Sequence, residues 1–159
     1  MQQLILDPIY IGNKMNFQSE SKKSGDAFED LVFLDLQQRG FENIDKNVYM
    51  VGTGCEVDFV AKGEQCEYVE CKGGVEGDKK RPGAKRTDNV KKAIANGAIM
   101  KTIYETMYYV VYFSDTPYPG SYSDQMLNLA LKHKIIDEVR YLKVWKLTHK
   151  SLSWYNYHC

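Results

Sequence analysis

The sequence predicts an α/β domain: one mixed central sheet flanked by helices, with core order α-β-β-β-α-β followed by α-β. Three observations predict it. Amphipathic helical stretches alternate with strand-like runs. The runs at Lys46–Val51, Glu56–Ala61 and Cys66–Lys72 are separated only by short turns, "VGTG" and "KGEQ", which reads as antiparallel pairing. "MYYVVYF" is continuously apolar, as a strand covered on both faces should be.

The elements follow in order. The opening "LILDPIYI" reads as an edge strand, and residues 1–23 as a lead-in to a single domain over 24–159. A helix is expected from about Gly25 to Arg39, with Ser24 or Asp26 as cap, Glu29 three residues after Asp26, and Gly40 as the stop. Three strands come next, then "KGGVEGDKKRPGAKR", a glycine-rich basic loop. A second helix, Asp88 to Met100, carries Val90, Ala93, Ile94, Gly97 and Ala98 at amphipathic spacing, with Asp88 as N-cap. After "MYYVVYF" come a loop, a third helix over Asp124–His133 and a last strand over Glu138–Leu147.

With 159 residues, 43% hydrophobic and 26% charged, the chain can bury a real core. No run is long enough for a membrane span, and the start lacks a secretory pattern. The four cysteines show no zinc spacing and read as reduced thiols. A cytoplasmic (or host-cell interior), non-secreted protein is expected. The net charge is zero, but nine basic residues against three acids make Lys72–Lys101 +6 and the remainder −6. A positive segment beside acids suits a polyanionic partner; a solvated surface is the plain alternative.

The runs Glu56–Ala61 and Cys66–Lys72 hold the chemistry. Strands disfavour Asp, Glu and Lys, yet Glu56, Asp58, Glu70 and Lys72 sit on adjacent ones. Alternation puts Glu56, Asp58 and Val60 on one face and Cys55, Val57 and Phe59 on the other. Tyr68, Glu70 and Lys72 likewise share a face. A turn centred on Glu64 pairs positions that sum to 128, so Asp58 faces Glu70 on a side opposite the core. Two carboxylates about 4 Å apart repel by about 4 kcal/mol at an effective dielectric near 20. A proton, Lys72 or a divalent cation would offset this, and Mg²⁺ suits a few carboxylate oxygens plus water. Glu29, at the edge of the stripe Val32, Phe33 and Leu36, is either a further site acid or a first-turn glutamate favoured by the helix dipole. Glu56 reads as solvated.

Glu29 on an opening helix, Asp58 in "CEVDFVA" and Glu70-Cys71-Lys72 in "VECKGG" together resemble the PD-(D/E)XK nuclease superfamily over roughly residues 24–113. Val57 stands where many members have the proline. The resemblance implies a metal-dependent DNA endonuclease of homing or junction-resolving type. Asp58, Glu70 and the Cys71 carbonyl would hold Mg²⁺ (or Mn²⁺), Glu29 would help, and Lys72 would orient water or meet developing charge. Lys79, Lys80, Arg81, Lys85, Arg86, Lys91 and Lys92 would contact the DNA backbone, and a homo-oligomer would cut both strands. The competing reading is an inactive nucleic-acid-binding or protein-interaction domain whose acidic hairpin is simply hydrated. His133, His149 and His158 show no ligand spacing, and the tyrosines read as core before they read as base-stacking groups.

Overall fold

A computed structural model describes residues 3–4, 20–74 and 82–143, with side chains from Gly25 onward. The elements are β1 (Gln3–Leu4), α1 (Glu20–Gln38), β2 (Asn43–Met50), β3 (Cys55–Lys62), β4 (Glu67–Lys72), a 3₁₀ turn (Gly83–Lys85), α2 (Thr87–Lys101), β5 (Tyr108–Phe113), α3 (Tyr122–Lys132) and β6 (Glu138–Leu142). They form one mixed sheet in the order β1-β6-β5-β4-β3-β2. β2, β3 and β4 pair antiparallel; β4, β5, β6 and β1 run parallel. The expected fold class and element order are therefore present. β1 is an edge strand of two residues; 5–19 and 144–159 lie outside the described residues.

Two apolar clusters cover the two faces of the sheet. Phe28, Val32 and Leu36 of α1 pack on Phe59, Ala61, Val69, Val110, Tyr112 and Leu142. Val90, Ala93 and Met100 of α2, with Leu127 and Ala130 of α3, pack on Val57, Val60, Tyr109, Val111 and Phe113. Burial of the α2 stripe runs through Val90, Ala93, Gly97 and Met100; Ala98, expected in it, is exposed. Asp88 lies within the first turn of α2 rather than at its cap, which is Arg86.

Helix α1 begins at Glu20, so Ser24 and Asp26 are interior and neither is a cap. Gly40 does end it: at φ +96, its N–H reaches the Gln37 carbonyl while the Phe41 N–H reaches Leu36. This is the paired-bond stop that glycine allows.

Gly97 lets α2 approach the sheet. A Cβ there would lie 2.6 Å from the Ile135 carbonyl oxygen and 2.7 Å from the Tyr109 ring. The Tyr109 hydroxyl, donating to the Ala93 carbonyl at 3.1 Å, pins that contact. Gly97→Ala is expected to lower stability by about 1–3 kcal/mol, despite a helix-propensity gain of about 1 kcal/mol. Gly25→Ala in α1, where nothing lies within 4 Å, is expected to raise it. Urea midpoints of the two variants should move in opposite directions.

Candidate active site

The β3–β4 hairpin has the expected register: Phe59 pairs Val69, Val60 pairs Tyr68 and Ala61 pairs Glu67. The ladder stops there. Asp58 does not pair with Glu70; its Oδ2 accepts the backbone N–H of Cys71 at 2.6 Å. One carboxylate thus replaces the strand carbonyl that would have continued the sheet, and β3 and β4 part at this point.

The alternation expected through Asp58 fails. Val57 belongs to the α2 side, Phe59 to the α1 side and Val60 again to the α2 side. On β2, Ile44 packs toward α1 and Val48 toward α2, so the partner strand changes face as well. Between them Asn47, at φ +51, and Asp58 are the skipped pair in an otherwise unbroken ladder. A left-handed residue in a strand breaks the pleat locally. Asp58 therefore sits at a crossover between faces. Both faces are covered by helices, so the acids do not occupy an open sheet face.

Glu70 is 3% exposed, whereas Glu56 is exposed, as expected. Glu70 Oε1 is bonded by the Lys72 ammonium and by Asn96 Nδ2 of α2 at 3.2 Å. Glu70 Oε2 is buried with no hydrogen-bond partner among the described residues. An unpaired buried carboxylate oxygen costs free energy, by about 1–3 kcal/mol or more. Asn96 also accepts a weak bond from Cys55 Sγ at 3.8 Å. It was missed in the sequence; its one signal is a helix-disfavoured polar residue one position before Gly97 of the buried stripe.

Glu29 lies in the third turn of α1, too far from Glu20 for a first-turn dipole role. Burial, then the charges of Asp58, Asp26 and Asp30, push its carboxyl up to about 7, with Lys46 opposing. Burial also raises Asp58, against the Cys71 N–H and Lys72. Glu70 is raised by burial, opposed by Lys72, with Asp58 adding to the rise. The Cys71 thiol is pushed well up by burial and then by Asp58, Glu29 and Glu70. All three acids therefore act on one locus beside Cys71. Among the described residues, no three His, Cys, Asp or Glu side chains converge tightly enough to hold a metal ion. Asp58 and the unpaired Glu70 oxygen are the groups that a hard cation would meet here.

Past Lys72, Gly73 abuts the next strand. A Cβ on Gly73 would lie 2.1 Å from Ser114 Oγ, and the Ser114 N–H donates to the Lys72 carbonyl at 3.3 Å. Of the expected backbone contacts, Lys79, Lys80 and Arg81 lie outside the described residues. Lys85 is engaged by Asp115 at 2.6 Å. Arg86, Lys91 and Lys92 are exposed.

No protein-family model, curated protein or solved structure matches the chain. No described helix is long and apolar enough to cross a membrane.

The raised Glu29 carboxyl has a pH signature. Between about 4.5 and 7 the folded protein holds a proton there that the unfolded chain has released, so stability falls as pH rises through that window. In EDTA, Glu29→Gln is expected to stabilise the protein by about 1–2 kcal/mol at pH 8, after allowance for solvent screening. The gain should shrink toward zero near pH 4.5. Urea unfolding of both proteins across this range measures it.

Proposed function

We propose that this chain is a metal-dependent DNA endonuclease, of the homing or junction-resolving kind, that hydrolyses phosphodiester bonds at the β3–β4 fork. One observation carries the reading. A buried Glu70 leaves one carboxylate oxygen unsatisfied beside Asp58 and Lys72, in a site where burial raises every acid. Such an arrangement costs stability, which favours a role in binding or chemistry over one in holding the fold. The set Glu29, Asp58, Glu70 and Lys72 resembles the PD-(D/E)XK pattern, and that resemblance supplies the substrate class.

In this reading Asp58, Glu70 and the Cys71 carbonyl hold Mg²⁺ or Mn²⁺, with Glu29 assisting. The ion would supply a more acidic bound water and relief of charge on the phosphate. Lys72 lies one short side-chain contact from Glu70. In this reading its ammonium would orient the water or meet charge developing on the phosphate. Asn96 fixes the Glu70 carboxylate so that Oε2 remains available. Exposed Lys91 and Lys92, with Arg86, contact the phosphate backbone. Two symmetric cuts require two such sites, hence a homo-oligomer. The chain would act in a reducing cell interior.

The second reading is a nucleic-acid-binding or protein-interaction domain without catalysis, its acids held by Lys72, Asn96 and the Cys71 N–H alone. Cleavage of plasmid and branched DNA separates them. Wild-type protein is expected to cut with Mg²⁺ and not with EDTA. Asp58→Ala, Glu70→Ala and Lys72→Ala are expected to lose about 100-fold or more. Mg²⁺ should raise the melting temperature of wild type and not of Asp58→Ala. DNA binding without any Mg²⁺-dependent cutting would leave the second reading standing.

A further inference from the structure

The end of the sheet where Lys72 emerges carries a second group of side chains, on the loop after β5. Asp115 binds two lysines, Lys85 Nζ at 2.6 Å and Lys143 Nζ at 3.4 Å, so one positive charge is left over. Burial would raise Asp115, but Lys85 holds its carboxyl below the usual range. Lys85 Nζ also lies 5.0 Å from the ring centroid of Tyr118. Tyr118 is 53% exposed, whereas Tyr109 and Tyr112 of the neighbouring strand are fully buried. The loop that presents it is held in place. Thr116 N–H bonds Asp115 Oδ1 at 2.8 Å, Ser121 N–H bonds the Tyr118 carbonyl at 3.0 Å, and Gly120 N–H bonds Asp124 Oδ2 at 2.8 Å. Pro117 and Pro119 flank the tyrosine and restrict its backbone further.

A lone exposed tyrosine on a surface needs no explanation. Three features set this one apart. It is rigidly presented, so little entropy is lost when it is covered. Surplus positive charge sits at its face. It is joined to the acid site by direct contacts: Lys72 to Ser114, then Asp115, then Lys85. An aromatic face beside a cation matches a nucleotide with an unstacked base, the base lying on the ring and its phosphate near the lysines. A paired duplex offers no free base face to such a ring.

We propose that Tyr118 is a stacking platform for an unpaired base, and that Lys85 and Lys143 hold the adjoining phosphate. The preferred nucleic acid then carries unpaired bases (a branch, gap or single-stranded flank) next to the acid site. This rests on the nucleic-acid half of the function proposed above, not on cleavage.

The test is binding by fluorescence anisotropy in EDTA. The probes are a labelled single strand, a duplex with a short unpaired gap and a fully paired duplex. Tyr118→Ser is expected to weaken binding to the first two by about tenfold and to the paired duplex by less than twofold. Tyr118→Phe should retain wild-type affinity. Tyr118→Trp should show emission quenched by the gapped probe. Tyr49→Ser, at an exposed tyrosine on β2, should change nothing. Equal loss on all three probes, no loss for Tyr118→Ser, or wild type that binds none of them overturns the proposal. Metal is absent, so a failed cleavage assay does not affect this result. Cleavage that persists while Tyr118→Ser binds normally removes this inference alone.

Discussion

The contact from the Cys71 N–H to the Asp58 carboxylate is the constraint on which the site depends. A β-ladder satisfies each backbone donor with a carbonyl across the strand gap. Here a side chain takes that place, so β4 is released from β3 while its pairing with β5 continues through Lys72. Three consequences follow. Asp58 is drawn into the gap and loses solvent, which raises its pKa although a good donor faces it. Glu70 stays on a central strand under α2, and burial there leaves one of its oxygens unsatisfied. Cys71 stands between α1 and the fork, where it feels three carboxylates at once. The first of these would not arise if the pairing ran on to Asp58 and Glu70.

Much of this fold was legible because its elements announce themselves locally. The two tight turns set the register of β3 on β4, and counting from Glu64 gives the pairs found. Gly40 marks the end of α1 because only a residue tolerant of positive φ fits there. What was not legible depends on contacts distant in sequence. The face change at Asp58 needs a left-handed Asn47 on a different strand, and period-two counting along β3 alone cannot see it. The start of α1 was misplaced because Ser24 and Asp26 are good caps in isolation, and an extra turn overrode them. Asn96 was invisible for the same kind of reason. Its partner is Glu70, on another element, and nothing in "AIANGAI" marks it as a polar contact across the core.

The same sheet contains a second buried ionic cluster, and the comparison is informative. On the α1 side Arg140 holds Glu67 through two bonds at 2.7 and 2.8 Å and also meets Glu138 and the Tyr112 hydroxyl. Tyr112 in turn donates to Asp35 of α1, which Arg39 also binds. Burial opposes charge on Arg140, yet its bonds to Glu67 and Glu138 raise its pKa further. Burial would raise Glu138 too, but Arg140 holds its carboxyl below the usual range. This cluster fastens α1 to β4, β5 and β6, and breaking one partner of such a pair typically costs about 3–5 kcal/mol. The fork also gathers three acids, but with fewer cations in contact with them. Among the described residues Lys72 is its one contacting cation and one carboxylate oxygen goes unpaired, and all three carboxyls are raised. A chain able to satisfy buried acids so fully on one face has no structural need to leave them short of positive charge on the other. The unpaired oxygen and the raised carboxyls are a cost to stability that the fold bears at the fork and avoids around Arg140.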